Sequence, residues 1–344
     1  MRTMEGFRCG INLGGWLSQC RRMTQEHLDT FITREDIRRI AEMGFDHVRL
    51  PVDYNAIEEE DGTPKENGWK YVENCLSWCR ESGLKVVLDL HKAWGYSFDP
   101  SQTEEQRELF FHSDAMQDRF IALWTRMARA IGSRSDVAFD LLNEVVPVSV
   151  AEIWNDIADR AIATIRPYAP ENWILVGGVR YNNVASVPML RPPRDRRIVY
   201  NFHSYDPMIF THQNAGWVPN LVGLRLDYPD DLAHYVTVGQ ERRSTVPAAD
   251  KISALGPEMF EALYEKAVQH AEENDVPLYC GEYGVIDQAD PQSAIRWLRD
   301  ISTVFERHGI GRALWCYKRM DFGLTDVHYD GTREQVLKAI MPPK

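Results

Sequence analysis

The chain has no block of cationic residues. Its 344 residues carry 39 Lys+Arg against 51 Asp+Glu, a formal net charge of −12. That balance cannot supply the footprint of a general nucleic-acid binder, and an anionic membrane surface would repel it. No stretch reaches the roughly 18 apolar residues of a membrane span. Met1 to Gly15 is broken by Arg2, Glu5 and Arg8 and holds no signal-peptide-like apolar run. Cysteine is scarce: six residues, at 9, 20, 75, 79, 280 and 316, show no pairing framework. Cys75 and Cys79 fall at helical spacing, as suits reduced thiols, and no Asn-x-Ser/Thr acceptor occurs. A soluble, cytoplasmic protein with no nucleic-acid or membrane partner is expected.

Ligand spacings are missing too. The ten histidines form no His-x-His or His-Glu-x-x-His, and no Cys-x-x-Cys occurs, so no metal or cofactor is expected. The absence of Gly-x-Gly-x-x-Gly after the first apolar run weakens a dinucleotide-binding reading. Low-complexity segments and linkers are absent, so residues 1–344 read as a single domain.

What is present is a recurrence. Eight short apolar, β-branched runs stand at Phe7–Asn12, His47–Val52, Lys85–His91, Val137–Glu144, Trp173–Val179, Arg197–Tyr205, Pro277–Gly284 and Arg312–Lys318. Most are continuously apolar, as parallel strands covered on both faces must be. Longer stretches with 3.6-residue periodicity separate them. Pro257 and Pro291 stand at first-turn positions, Gly44 stops Glu35–Met43, and Ser149-Val-Ala-Glu152 reads as a capping box. Repeated strand–helix units with right-handed crossovers give an open sheet or a barrel, and eight fits a (β/α)8 TIM barrel. Irregular stretches at Lys92–Ser113 and Asp206–Gly256, after the third and sixth runs, carry the surplus over a typical barrel of roughly 250 residues. Loops of that length are usually functional.

In such a barrel the C-terminal strand ends converge on one mouth. They carry Arg49, His91, Asn143, Glu144, His203, Tyr205, Glu282 and Trp315. Two glutamates across one mouth are the parts of a glycosidase: one protonates the leaving oxygen and the other, at roughly 5–5.5 Å, attacks the anomeric carbon with retention. An arginine beside the second glutamate favours its ionised form, while burial and a like-charged neighbour keep the first protonated. Arg49 therefore belongs beside Glu282, and Glu144 is the acid/base.

Phe7-Arg-Cys-Gly-Ile-Asn-Leu-Gly-Gly-Trp16, His47-Val-Arg-Leu-Pro51, Leu88-Asp-Leu-His91, Leu141-Leu-Asn-Glu144, Asn201-Phe-His-Ser-Tyr205, Gly281-Glu-Tyr-Gly284 and Leu314-Trp315 resemble the successive strand motifs of glycoside hydrolase family 5. Seven matches in order cover nearly the whole chain. The resemblance implies a retaining double displacement without a metal, Glu282 as nucleophile and Glu144 as acid/base. It further implies Asn143 on the sugar 2-hydroxyl, Arg49 and Tyr205 as partners of the nucleophile, His91 and His203 as subsite and acid/base neighbours, and Trp315 as a stacking floor.

Blander readings stand beside these. A strand-end glutamate can be a structural ion-pair partner and a histidine a satisfied core residue. Trp124 and Trp154, on helical stripes, read as core, and Cys280 and Cys316 as buried small hydrophobes. Trp94 and Trp217, in the two long loops, read equally as sugar-binding or as ordinary loop residues. Lys318 is the one lysine placed for Schiff-base chemistry, which would leave both glutamates unexplained. A carbohydrate-binding barrel without catalysis would be expected to lack one glutamate, and both are present. The expected partner is an oligosaccharide, a β-mannoside or β-glucoside. Exo-action on short β-1,4-linked chains is expected, mannosidic ahead of glucosidic, with endo-β-1,4-glucanase as the alternative.

Overall fold

Each of the eight apolar runs forms a strand: β1 (Cys9–Asn12), β2 (His47–Asp53), β3 (Lys85–Lys92), β4 (Val137–Asp140), β5 (Ile174–Gly177), β6 (Ile198–Ser204), β7 (Leu278–Tyr283) and β8 (Gly311–Leu314). The computed structural model describes residues 1–343. All pairs are parallel, neighbours follow chain order, and β1 pairs with β8 to close the (β/α)8 barrel. Several strands stop short of the runs that predict them. β4 ends at Asp140 and β8 at Leu314, so Asn143, Glu144 and Trp315 sit just past the hydrogen-bonded ladder, where parallel pairing no longer fixes their backbone.

Alternation along the strands sorts residues into two environments. Outward positions such as Val48, Leu50, Val86, Leu88 and Phe139 join one large core with helix residues including Ile37, Leu76, Trp124 and Trp154. Trp124 and Trp154 are fully buried, as expected, and truncating either to alanine would cost about 3–5 kcal/mol. Inward positions Val87, Ala138, Leu175, Val199, Tyr279 and Ala313 form a separate cluster, plugged by Met4, Phe7 and Trp173. Two residues further along the same inward faces come Asp89, Asp140, Asn201 and Trp315. The barrel interior is thus apolar at the bottom and polar below the mouth.

The helices keep most of the sequence signals. Thr33 forms a reciprocal capping box with Asp36 ahead of Arg34–Glu42, and Gly44 follows with φ +95°. Pro257 and Pro291 open Pro257–Glu273 and Pro291–His308. Cys75 and Cys79 are buried on Glu66–Glu81, and Cys280 and Cys316 are buried as expected. The capping box at Ser149 does not form. A 3-10 turn at Val148–Val150 precedes helix Ala151–Ile165, and Ser149 Oγ donates instead to Glu108. The two long segments are not irregular throughout: the first holds helix Glu104–Leu109, and the second holds helix Leu232–Glu241. No helix among the described residues is long and apolar enough to cross a membrane.

Candidate active site

Arg49 rises from β2 into the barrel axis, completely buried, and organises the polar layer. Its Nε donates to Asp140 Oδ2 (3.1 Å), Nη1 to Asn12 Oδ1 (3.0 Å) and Glu282 Oε1 (2.8 Å), and Nη2 to Asn143 Oδ1 (2.9 Å), while Asp89 Oδ2 forms an ion pair with Nη2 at 3.0 Å. Burial opposes its charge, yet Asp89, Asp140 and Glu282 more than offset this and hold it protonated. One guanidinium cannot neutralise three buried carboxylates. Burial accordingly pushes Asp89 and Asp140 up to about 7 each, against the pull of Arg49.

Above this layer opens a cavity of about 870 Å³, lined by His91, Asn143, Glu144, His203, Tyr205, Glu282, Trp315 and Trp217 among others. Glu144, His203 and Glu282 each bring one ligand atom to within 4.8 Å of the other two. This is the short carboxylate separation that goes with retention. Tyr205 donates to Glu282 Oε2 at 3.0 Å, and His203 Nδ1 lies 2.9 Å from Glu144 Oε1. Burial first, then the charge of Glu282, raises Glu144 well above the usual carboxylate range. Burial raises Glu282 as well, but Arg49 draws it back down and the Tyr205 hydrogen bond adds to that pull. The two carboxyls therefore differ in the expected sense: the paired one ionises more readily.

The trio also has the spacing of a three-ligand metal set. Its ligand atoms are already engaged, since Arg49 and Tyr205 occupy both oxygens of Glu282. A guanidinium 2.8 Å from one of those oxygens opposes a divalent cation.

Several partners fix proton positions. Asp89 Oδ2 lies 3.0 Å from the Arg49 guanidinium, whose charge favours the ionised carboxylate, and in that form it accepts from His91 Nδ1, 2.6 Å away. This assigns the His91 proton to Nδ1 and leaves Nε2, without a partner among the described residues, as a bare acceptor. Burial holds His91 down at about 3, hence neutral. Arg49 likewise takes the oxygen of Asn143, so its Nδ2, also unpartnered, is left to donate. Trp315 stacks parallel to His91 at 5.9 Å. A Cβ on Gly14 would approach the Trp315 ring to 2.8 Å, which explains glycine in the first motif.

Other features were not legible. Glu144 has φ +47°, a left-handed conformation that costs on the order of 1–3 kcal/mol in a non-glycine residue. Buried Tyr96 brackets it: its hydroxyl donates to the Glu144 carbonyl (2.8 Å) and accepts from Val146 N (2.9 Å). Nothing in the sequence marks Tyr96, which lies 48 residues away. Asp89 and Asp140 do carry a sequence signal, a charged residue inside an apolar strand run. Trp94 does not line the cavity. It packs on the Arg119 guanidinium (4.5 Å) and donates to Glu60 (3.2 Å), so its place is structural. Trp217 does reach the cavity rim, 44% exposed. Lys318 is tied to Asp36 at 3.1 Å and does not line the cavity.

The sequence model of the cellulase family (glycosyl hydrolase family 5) matches residues 11–321. The chain is 41% identical to cellodextrinase A of Ruminococcus flavefaciens over 91% of this chain and 86% of that one. Endoglucanase C of Acetivibrio thermocellus is 39% identical, over 93% of each. The solved structure of Thermotoga maritima Cel5A in complex with cellobiose shares the fold, with a TM-score of 0.75 and 22% identity over 98% of each chain. The chain belongs to glycosyl hydrolase family 5. It is a retaining glycoside hydrolase.

Proposed function

We propose that the protein hydrolyses short β-1,4-linked gluco-oligosaccharides, with Glu282 as nucleophile and Glu144 as acid/base. The observation that carries this reading is the pairing of two carboxyls within 4.8 Å, the buried Glu282 held by Arg49 and Tyr205 and the partly buried Glu144 beside His203. Glu144, kept protonated, gives its proton to the leaving oxygen while Glu282 attacks the anomeric carbon. Glu144, now ionised, then takes a proton from water as the ester to Glu282 is hydrolysed. Asn143 Nδ2 donates to the 2-hydroxyl, His91 Nε2 accepts from a ring hydroxyl, and Trp315 supports the apolar face of that sugar.

Two relatives named for cellodextrins and glucans support glucosyl units. The mannosidic preference expected from the sequence rests on no residue of the cavity. The preference for short substrates draws on the two long loops, which both line the cavity, through Phe98, Asp99 and Pro100 after β3 and through Met208, Trp217 and Val218 after β6.

Turnover of aryl β-cellobioside, aryl β-mannoside and carboxymethylcellulose tests the substrate. Preferred cleavage of the cellobioside, with little loss of polymer viscosity, is expected; turnover of the mannoside alone would overturn the glucosyl assignment, and rapid viscosity loss would overturn the preference for short chains. A chelator is expected to leave the rate unchanged.

A further inference from the structure

The polar layer beneath the cavity holds two carboxyls that the double displacement does not use. Asp89 on β3 and Asp140 on β4 are direct partners in the parallel register, two residues beyond the inward-facing Val87 and Ala138. Neighbouring strands stand about 4.8 Å apart, so the two side chains leave adjacent points on one wall of the barrel. Both are fully buried.

Their hydrogen bonds are one-sided. Asp140 Oδ2 accepts from Arg49 Nε (3.1 Å) and from Asn201 Nδ2 (2.9 Å). The Asn201 amide is oriented by its own oxygen, which accepts from Gly281 N at 3.0 Å. Asp89 Oδ2 is occupied in the same way, by Arg49 Nη2 at 3.0 Å and His91 Nδ1 at 2.6 Å. The Oδ1 atom of each aspartate has no partner among the described residues. Two buried acceptors without a donor are costly, and one hydrogen between them serves both.

The charges point the same way. Arg49, from β2, is the cation that faces the pair; around it stand the neutral His91 from β3, Glu144 after β4, and Tyr279 and Glu282 from β7. Burial pushes each aspartate up to about 7 against the pull of Arg49, and the charge of Asp89 adds to the rise at Asp140. Two carboxyls in one dry site do not readily ionise together.

We infer that Asp89 and Asp140 share one proton, Oδ1 to Oδ1, as an acid–carboxylate pair of single negative charge that acts through Arg49 to keep Glu282 ionised. Asp89, facing both Arg49 and the His91 N–H, is the carboxylate, and Asp140 holds the proton. A second negative charge in the pair would bear on Glu282 as that of Asp89 already does, strengthening its hold on a proton. Neither aspartate lines the cavity, so both are positioning residues. The link to Glu282 rests on its proposed role as nucleophile; the shared proton does not.

Infrared difference spectra at about pH 6 of the parent, Asp89→Asn, Asp140→Asn and the double variant test the shared proton. Each single variant should lose one carboxylic acid carbonyl and the double variant no more, because removing either neighbour lets the remaining carboxyl ionise against Arg49. No loss in either single variant, two losses in the double variant, or a loss in Asp140→Asn alone would overturn the sharing. Asp89→Ser, which also offers His91 an oxygen and carries no charge, replaces Asp89→Asn should the latter not fold. The pH profile of kcat/KM on aryl β-cellobioside tests the link, since its acid limb reports ionisation of the nucleophile in the free enzyme. That limb should stay within about 0.3 pH unit of the parent in each single variant and move down by about 1 unit in the double variant, where Arg49 faces Glu282 alone. A downward move of that size in a single variant, or none in the double variant, would overturn the link. A parent profile without an acid limb would overturn the role of Glu282 and the link with it, while the infrared result still decides the shared proton.

Discussion

Arg49 Nη1 lies 2.8 Å from Glu282 Oε1, joining the fully buried floor of the barrel to a carboxylate that lines the cavity above it. The same guanidinium holds Asp89, Asp140, Asn12 and Asn143, so positioning of the Glu282 carboxylate and stability of the barrel interior depend on one side chain. Arg49→Met is expected to leave three buried carboxylates without a cation and to destabilise the fold by about 3–5 kcal/mol. Urea unfolding at neutral pH measures this. A loss below about 1 kcal/mol would show that the carboxylates are neutralised some other way.

The polar layer also predicts a pH dependence of stability. Asp140 is raised to about 7 in the folded protein by burial, against the pull of Arg49, while an unfolded aspartate titrates near 3.9. Between those values the folded state binds more protons, so stability falls as pH rises from about 4 to about 7. Asp140→Asn removes one such group, and its melting temperature should fall less between pH 4.5 and pH 7.5 than that of the parent. A steeper fall in the variant would contradict the sign.

Tyr96 is predicted to act as a positioning residue. Tyr96→Phe deletes both hydrogen bonds that bracket the left-handed backbone of Glu144. The expected result is a fall in kcat of about tenfold with KM little changed, because a misplaced acid weakens the transition state more than ground-state binding. Aryl substrates whose leaving groups need no proton should be spared at the glycosylation step. An equal loss for good and poor leaving groups would point to a purely structural role.

Trp94→Ala separates a loop aromatic from a cavity aromatic. It removes the stacking on Arg119 and the hydrogen bond to Glu60, an expected cost of about 1 kcal/mol in stability. KM for cellodextrins should stay within twofold of the parent, since Trp94 does not reach the cavity. A rise of tenfold in KM would return it to the substrate site.

The barrel was legible because parallel strands buried on both faces leave eight continuous apolar runs, and the strand-end residues follow from where those runs stop. Arg49 beside Glu282 was legible from charge logic alone. Asp89 and Asp140 required the inward parity of each strand, which a run of leucines and valines hides until the pairing register is known. Tyr96 acts through backbone groups distant in sequence, and no local pattern announces such contacts. Trp94 and Trp217 both sit in long loops, and only the path of each loop decides which one meets the cavity.

The most direct test is the identity of the residue that carries the sugar. A 2-deoxy-2-fluoro-cellobioside with a good leaving group should form a slowly hydrolysed glycosyl-enzyme, and peptide mass spectrometry should place the ester on Glu282. In Glu144→Ala, azide should rescue turnover and yield the β-glycosyl azide. A label on Glu144, or on any residue other than Glu282, would contradict the assignment of nucleophile and acid/base.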